Sequence, residues 1–332
     1  MQRNHDLGLI VTGASGWIGR AVVSNARLMG YAVVATSKSM EDAPSAMQVN
    51  FDLQDDETRI TNALEQFLPS ASRWALIHCA GLAHVRSETP QLCELLQRTN
   101  VGGTEKLVRV CARLGLQRFV YTSSISVYAW DSGQQQNPRT ELDAVGPRTE
   151  YGRTKLHGER VVMQSQLDWH VARLATVFGP GDTANFFRLA KAIKSRRFFI
   201  PGRGTQRKSC IDVETAARSL IAMATIPAPA RRVVNVAFPE TPTLAEIAAS
   251  LAAACSVPSP LGMPESLLRL LARCGDLGRR LGLPAPLTTD DLSRLCGSTW
   301  VDSSLALAIV PDLATKTFAD AMKQAAAYYR LS

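Results

Sequence analysis

Leu9-Ile10-Val11-Thr12-Gly13-Ala14-Ser15-Gly16-Trp17-Ile18-Gly19 is the stretch on which the fold turns. Three apolar strand formers run directly into glycines spaced T-G-x-x-G-x-x-G. Helical spacing then runs from Trp17 to Met29 and stops at Gly30, a natural helix end. Glycine lets the backbone turn tightly and approach a pyrophosphate, whose charge then rests on the N-terminus of the following helix. A strand–turn–helix context of this kind predicts a dinucleotide site lined by Gly13, Ser15, Gly16, Trp17, Ile18 and Gly19; the bland alternative is a structural glycine turn.

Working outward, short apolar runs alternate with helical patterns. Strands are predicted at 32–35, 47–51, 74–78, 118–122 and 169–174, with one long helix over 92–114 closed by Gly115. Uninterrupted apolar strands between helices imply a parallel sheet covered on both faces, and right-handed crossovers wind it doubly. The fold class is therefore α/β, a Rossmann-type doubly wound parallel sheet with a smaller, mostly C-terminal α/β lobe. Residues 1–174, together with 208–238, form the predicted dinucleotide-binding domain. Residues 175–207 and 239–332 form the predicted substrate lobe, with helices at 185–194 and 244–254.

Composition narrows the classes. Of 332 residues, 46% are hydrophobic and 20% charged, as in globular proteins rather than disordered or fibrous ones. The net charge of +8 is a mild bias that suits anionic ligands. The densest basic patch, Lys191, Lys194, Arg196 and Arg197, reads as the solvated face of a helix, so no nucleic-acid partner is expected. Seven cysteines, an odd count without C-x-x-C, read as reduced thiols buried as small hydrophobes. No apolar run reaches the roughly 18 residues of a membrane span, and Met1 to Leu9 is too short and polar for a signal peptide. A cytoplasmic enzyme with no membrane partner is the expectation.

At the end of the second strand, Ala35-Thr36-Ser37-Lys38-Ser39 carries no acid to accept from a ribose 2′-hydroxyl. Ser37 and Lys38 favour a 2′-phosphate, so NAD(P) is the cofactor and NADP is mildly preferred; the alternative is a solvated Lys38. Asp52, followed by Leu53, can accept from the adenine amino group or cap the helix starting near Asp55. Further on, Thr122-Ser123-Ser124 ends the fifth strand, and Tyr151-Gly152-Arg153-Thr154-Lys155 heads a helix. Tyr at i and Lys at i+4 share a helix face, and a nearby ammonium lowers a phenol pKa. Such a tyrosine can act as general base on a sugar or alcohol hydroxyl, with a strand-end serine on the same oxygen and Lys155 on the cofactor ribose.

In these motifs the chain resembles the extended short-chain dehydrogenase/reductase superfamily, nucleotide-sugar epimerase/dehydratase branch. T-G-x-x-G-x-x-G at 12–19, D-L-x-D at 52–55, H-x-A-G-x-A-H-V at 78–85, N-V-x-G-T at 100–104, S-S-I-S-V-Y at 123–128, Y-x-x-x-K at 151–155, Phe178-Gly179-Pro180-Gly181-Asp182 and G-S-x-x-V-D at 297–302 follow the family order over almost the whole chain. The resemblance implies Ser124 as catalytic hydroxyl in preference to Ser123, Tyr151 as acid/base and Lys155 as its modulator. Ala80, Gly81, Asn100 and Thr122 would line the cofactor. Ser126, Asn185, Arg207 and Lys208 would meet a nucleotide-sugar substrate; the plainer roles are a turn for Ser126, an N-cap for Asn185 and a solvated Arg207.

The departures refine this. Ile125 and Ser126 replace the acid pair of the 4,6-dehydratases, which disfavours dehydration. Ala83 stands where galactose epimerases carry lysine, and His84 follows it as a packing residue. The implied activity is a UDP-sugar 4-epimerase acting through a 4-keto intermediate. The alternatives are a nucleotide-sugar ketoreductase or dehydrogenase, a reductase of another small carbonyl compound, and a non-catalytic dinucleotide-sensing regulator. A homodimer through the helices at 92–114 and 150–165 is the family expectation.

Overall fold

Strand periodicity and helix caps place the elements of the computed structural model, which describes residues 6–38, 47–83, 89–130, 135–227, 231–282 and 287–331. His84 lies outside these. The first half reads β1 (Leu7–Thr12), α1 (Trp17–Leu28), β2 (Ala32–Ser37), β3 (Met47–Asn50), α2 (Glu57–Glu65), β4 (Arg73–His78), α3 (Pro90–Leu96), α4 (Gly103–Arg113), β5 (Arg118–Ser124), α5 (Glu150–Met163) and β6 (Asp168–Leu174). There follow β7 (Thr176–Phe178), α6 (Asn185–Lys194), β8 (Ile200–Pro201), β9 (Cys210–Asp212), α7 (Val213–Thr225), β10 (Arg232–Val236) and α8 (Leu244–Ala254). The chain closes with β11 (Gly262–Met263), α9 (Glu265–Arg280), α10 (Thr289–Cys296), α11 (Ser304–Ile309) and α12 (Phe318–Leu331).

Seven strands form one parallel sheet in the order β3-β2-β1-β4-β5-β6-β10. Chain order reverses between β1 and β4, and the crevice outside the carboxyl ends of these strands is where such sheets bind ligands. Both faces are covered, as the unbroken apolar runs require. Alternate residues of one strand part to opposite cores: Leu9 and Val11 join Val22, Ala216 and Leu220, whereas Ile10 joins Ile60, Leu64, Leu107 and Val162. Two short parallel ladders, β7 with β9 and β8 with β11, lie outside the main sheet.

Two expectations change. The predicted helix over 92–114 is interrupted by a π-helical turn, Gln97–Gly102, between α3 and α4. The cysteines are all free, but only Cys111, Cys210 and Cys255 are buried; Cys79, Cys93 and Cys296 are partly exposed, and Cys274 on α9 is exposed.

Candidate active site

The glycine loop forms a cradle that side chains would fill. Gly13 has φ +68°, and a Cβ on it would stand 2.7 Å from the Ala80 backbone. A Cβ on Gly19 would stand 2.1 Å from the Gly13 carbonyl, so α1 packs onto the loop only through glycine. Gly16 caps α1 without a side-chain hydrogen bond, and the first turn of α1 carries no acid. A helix start with orphan N–H groups and a positive dipole end is suited to an anion, as a pyrophosphate is. Trp17 adds a contact that spacing alone does not reveal. Its indole N–H donates to the Pro180 carbonyl at 2.6 Å, clasping the glycine loop to the 178–182 loop. Ile18 packs against the same core as Trp17.

The ribose and adenine candidates are tied to one another. Ser37 and Ser15 share a hydrogen bond at 2.5 Å. Lys38 pairs with Asp52 at 2.9 Å; this hydrogen bond and charge hold the Lys38 pKa above its ordinary value. The Lys38 side chain nonetheless stays 79% exposed, so this is a surface pair that leaves the ammonium open to solvent. Asp52 also accepts from Gln54 N, and α2 is capped by Asp56, not by Asp52. Leu53 is buried against Gly103.

Asn100, carried on the π turn, is saturated by the protein. Its Oδ1 accepts from Leu82 N at 2.7 Å, and its Nδ2 donates to Leu82 O and Thr154 Oγ1, both at 3.0 Å. It therefore staples the loop after β4, which carries Ala80 and Gly81, to α5. Thr12 accepts from Ala80 N and bonds His78, whose other nitrogen meets Thr104. Burial, and then the charge of Lys155, push the His78 pKa down to about 3, so this ring is neutral and structural.

Ser124, Tyr151 and Lys155 meet at the end of β5. Thr149 caps α5 through Gly152 N and so sets the helix that presents Tyr151 and Lys155. The Lys155 ammonium donates to the Thr122 carbonyl at 2.8 Å and stands 6.0 Å from the Tyr151 ring centre. Contrary to the expectation from Y-x-x-x-K, Tyr151 is not tuned toward neutrality here. Burial pushes its pKa up to about 12, a rise opposed by hydrogen bonding with Ser124. Burial likewise pushes Lys155 down to about 8. Desolvation penalises both charged forms, and at this distance the ammonium does not outweigh it.

The two serines part company along the strand. Ser123 is buried and donates to Glu159 Oε1 at 2.5 Å, whereas the partly exposed Ser124 Oγ accepts from Ser126 N. Glu159 forms a buried ion pair with Arg173 at 2.7 Å, a partnership between a helix and a strand end that no local pattern shows. Ser126 Oγ is buried without a hydrogen-bond partner among the described residues.

The remaining substrate candidates lie on segments that follow β6. Asn185 is exposed at the first residue of α6, whose cap position is Ala184. The N-cap role for Asn185 is thereby corrected. The buried Asp182 carboxylate accepts from Ala184 N and Phe187 N, so part of the positive end of α6 is already filled by an anion of the protein itself. Arg207 is exposed, stacks 5.0 Å over Trp300 and donates to Thr241 O. Lys208 is turned inward onto the carbonyls of Arg294 and Gly297, and burial lowers its pKa to about 8. It is a structural donor, not a free phosphate ligand.

Comparison with known proteins bears directly on this arrangement. A family model described as "NAD dependent epimerase/dehydratase family" matches residues 9–237. The chain belongs to the NAD dependent epimerase/dehydratase family. Within it, UDP-glucose 4-epimerase 2 of Arabidopsis thaliana is 31% identical over 179 residues, 50% of either chain. UDP-glucose 4-epimerase of Vibrio cholerae is 27% identical over 308 residues, 89% of this chain and 87% of that one. The chain thus spans only half the length of the Arabidopsis relative. Among solved structures, MoeE5 in complex with UDP-glucuronic acid and NAD superposes with a TM-score of 0.73 at 24% identity, covering 98% of this chain and 99% of the other. At that identity the likeness establishes the fold. The seven-stranded parallel sheet is the epimerase-type Rossmann fold.

Proposed function

We propose that this family member is an NAD(P)-dependent 4-epimerase of a nucleotide sugar, with a UDP-sugar as the leading substrate class. The observation that carries the reading is the convergence of Ser124, Tyr151 and Lys155 at the end of β5, with Lys155 next to the Ala80–Gly81 segment that packs against the glycine loop. The glycine loop from Gly13 to Gly19 would hold the dinucleotide phosphates, Ser37 and Lys38 the adenosine ribose, and Lys155 the other ribose. When bound, the dinucleotide would supply the hydride acceptor and donor.

Tyr151 takes the proton of the sugar C4 hydroxyl and returns it after the 4-keto sugar has turned over. Ser124 hydrogen-bonds the same oxygen and holds it in line with the phenol. Burial raises the Tyr151 pKa in the protein alone, and hydrogen bonding with Ser124 opposes that rise. Ser126 and Asn185 face the sugar and its diphosphate, and Arg207 supplies the cation. The absence of an acid at Ser37, and the neutralisation of Asp52 by Lys38, support NADP as a cofactor at least as good as NAD. The division into 1–174 with 208–238 and 175–207 with 239–332, and a homodimer through the helices at 92–114 and 150–165, belong to the same reading.

Tyr151→Phe tests it. Turnover of a UDP-sugar should fall by at least ~10²-fold while dinucleotide affinity stays near that of the parent. Near-normal turnover, or no turnover of any nucleotide sugar by the parent protein, would overturn the assignment.

A further inference from the structure

Helix α9 has two apolar faces, and the fold buries one of them. Leu268 and Ala272 turn inward and pack in a small cluster with Leu292. Away from it, Leu267 is 45% exposed, Leu270 58%, Leu271 48%, Leu277 59% and Leu281 69%. At about 100° per residue, positions 267, 270, 271, 274, 277 and 281 fall within an arc of roughly 120° on the outer side of the helix. Arg269, Arg273 and Arg280 fall in a narrow row along one border of that arc, with Glu265 and Asp276 on the far side of the row and Arg269 paired with Glu265 at 3.3 Å. Over residues 265–281 the helix carries four arginines against two acids, Glu265 and Asp276.

We propose that α9 docks the protein onto a bilayer surface rich in anionic lipid. The outer leucines would enter the boundary between headgroups and acyl chains, and the arginine row would meet the lipid phosphates. Sixteen residues rise only ~24 Å, and the arginines forbid a hydrocarbon path, so the helix lies on the membrane and does not cross it. No described helix is long and apolar enough to cross one. A second copy is the weaker occupant. Antiparallel pairing through the same leucines brings the two arginine rows together, and like charges oppose each other there. An anionic surface instead satisfies the leucines and the arginines at once.

Flotation of the full protein with phosphatidylcholine vesicles, and with equal parts phosphatidylcholine and phosphatidylglycerol, tests this at physiological salt. The protein should float with the mixed vesicles, remain behind with phosphatidylcholine alone, and be released by added salt. Leu270→Glu combined with Leu277→Glu should lower partitioning at least tenfold. Arg269→Gln, Arg273→Gln and Arg280→Gln should each lower it by roughly fivefold. All these side chains are exposed, so thermal midpoint and dinucleotide affinity should match the parent, which separates this result from the fate of the epimerase reading. Failure of the parent to float, or leucine variants that float like it, would overturn the proposal. Leucine variants that instead dissociate an oligomer, with no vesicle binding, would assign the face to a second copy.

Discussion

Replacing Glu159 with glutamine removes one charge from a pair that has no water to fall back on. Glu159 is fully buried and accepts two hydrogen bonds from Arg173, at 2.7 and 3.0 Å, and one from Ser123 at 2.5 Å. Glutamine preserves the volume and one acceptor oxygen, but its amide N–H groups then confront the N–H donors of Arg173. The guanidinium cannot shed its proton, and its side chain is only 5% exposed. Removing one partner of a buried pair costs ~3–5 kcal/mol. Arg173 keeps the Glu141 carbonyl at 3.3 Å and the face of Tyr128 at 4.8 Å, which puts the expected loss near the lower bound, about 3 kcal/mol. For a chain of this size that corresponds to a thermal midpoint lower by roughly 4 °C. Thermal unfolding followed by circular dichroism reads it directly. The double change Glu159→Met with Arg173→Met leaves no orphan charge and should recover most of the loss. A midpoint for Glu159→Gln equal to the parent's, or a double variant as unstable as the single, would refute the reasoning.

Because Lys155 has a pKa of about 8 in the protein alone, dinucleotide binding above that pH should take up a proton, and affinity should fall as pH rises through 8. The sign follows from loss of the charged donor; calorimetry in buffers of different ionisation enthalpy checks it, and Lys155→Met should abolish the uptake. Lys38→Ala should weaken NADP more than NAD, and Ser37→Asp should turn preference toward NAD, both read by titration with the two dinucleotides. Arg207→Ala and Asn185→Ala should weaken UDP-sugar binding with dinucleotide affinity unchanged. A lost charged hydrogen bond predicts roughly ten- to 150-fold for Arg207, while Asn185, beside a helix end already served by Asp182, should fall at or below the lower figure.

Local chemistry was readable where a residue acts through its own backbone or through neighbours within a helical turn. The tight turn at Gly13, the start of α1 at Trp17 and the shared helix face of Tyr151 and Lys155 are of this kind. Partnerships set by the packed sheet were not. Glu159 finds Arg173 only because β6 lies beside β5, and Lys208 turns inward only because residues 294–297 come back across it. The direction of the Tyr151 shift also escaped the sequence. Y-x-x-x-K fixes which cation is near, but not how much water the fold excludes, and here exclusion of water wins. The π turn escaped because a single extra residue barely disturbs apolar periodicity.

That turn separates architecture from chemistry. An α-helix advances about 100° per residue, and a π turn takes in one residue more, so everything from Gly103 onward is rotated by one position relative to the run from Pro90. Loss of a single residue between 97 and 102 would restore uniform pitch at little cost to the core, since Leu107, Val110 and Cys111 would still face the sheet. The amide that joins residue 82 to residue 154 would swing elsewhere. The wide turn thus serves the tie between the loop after β4 and α5 and not the core, and its removal would leave a packed scaffold in which those two segments are no longer joined.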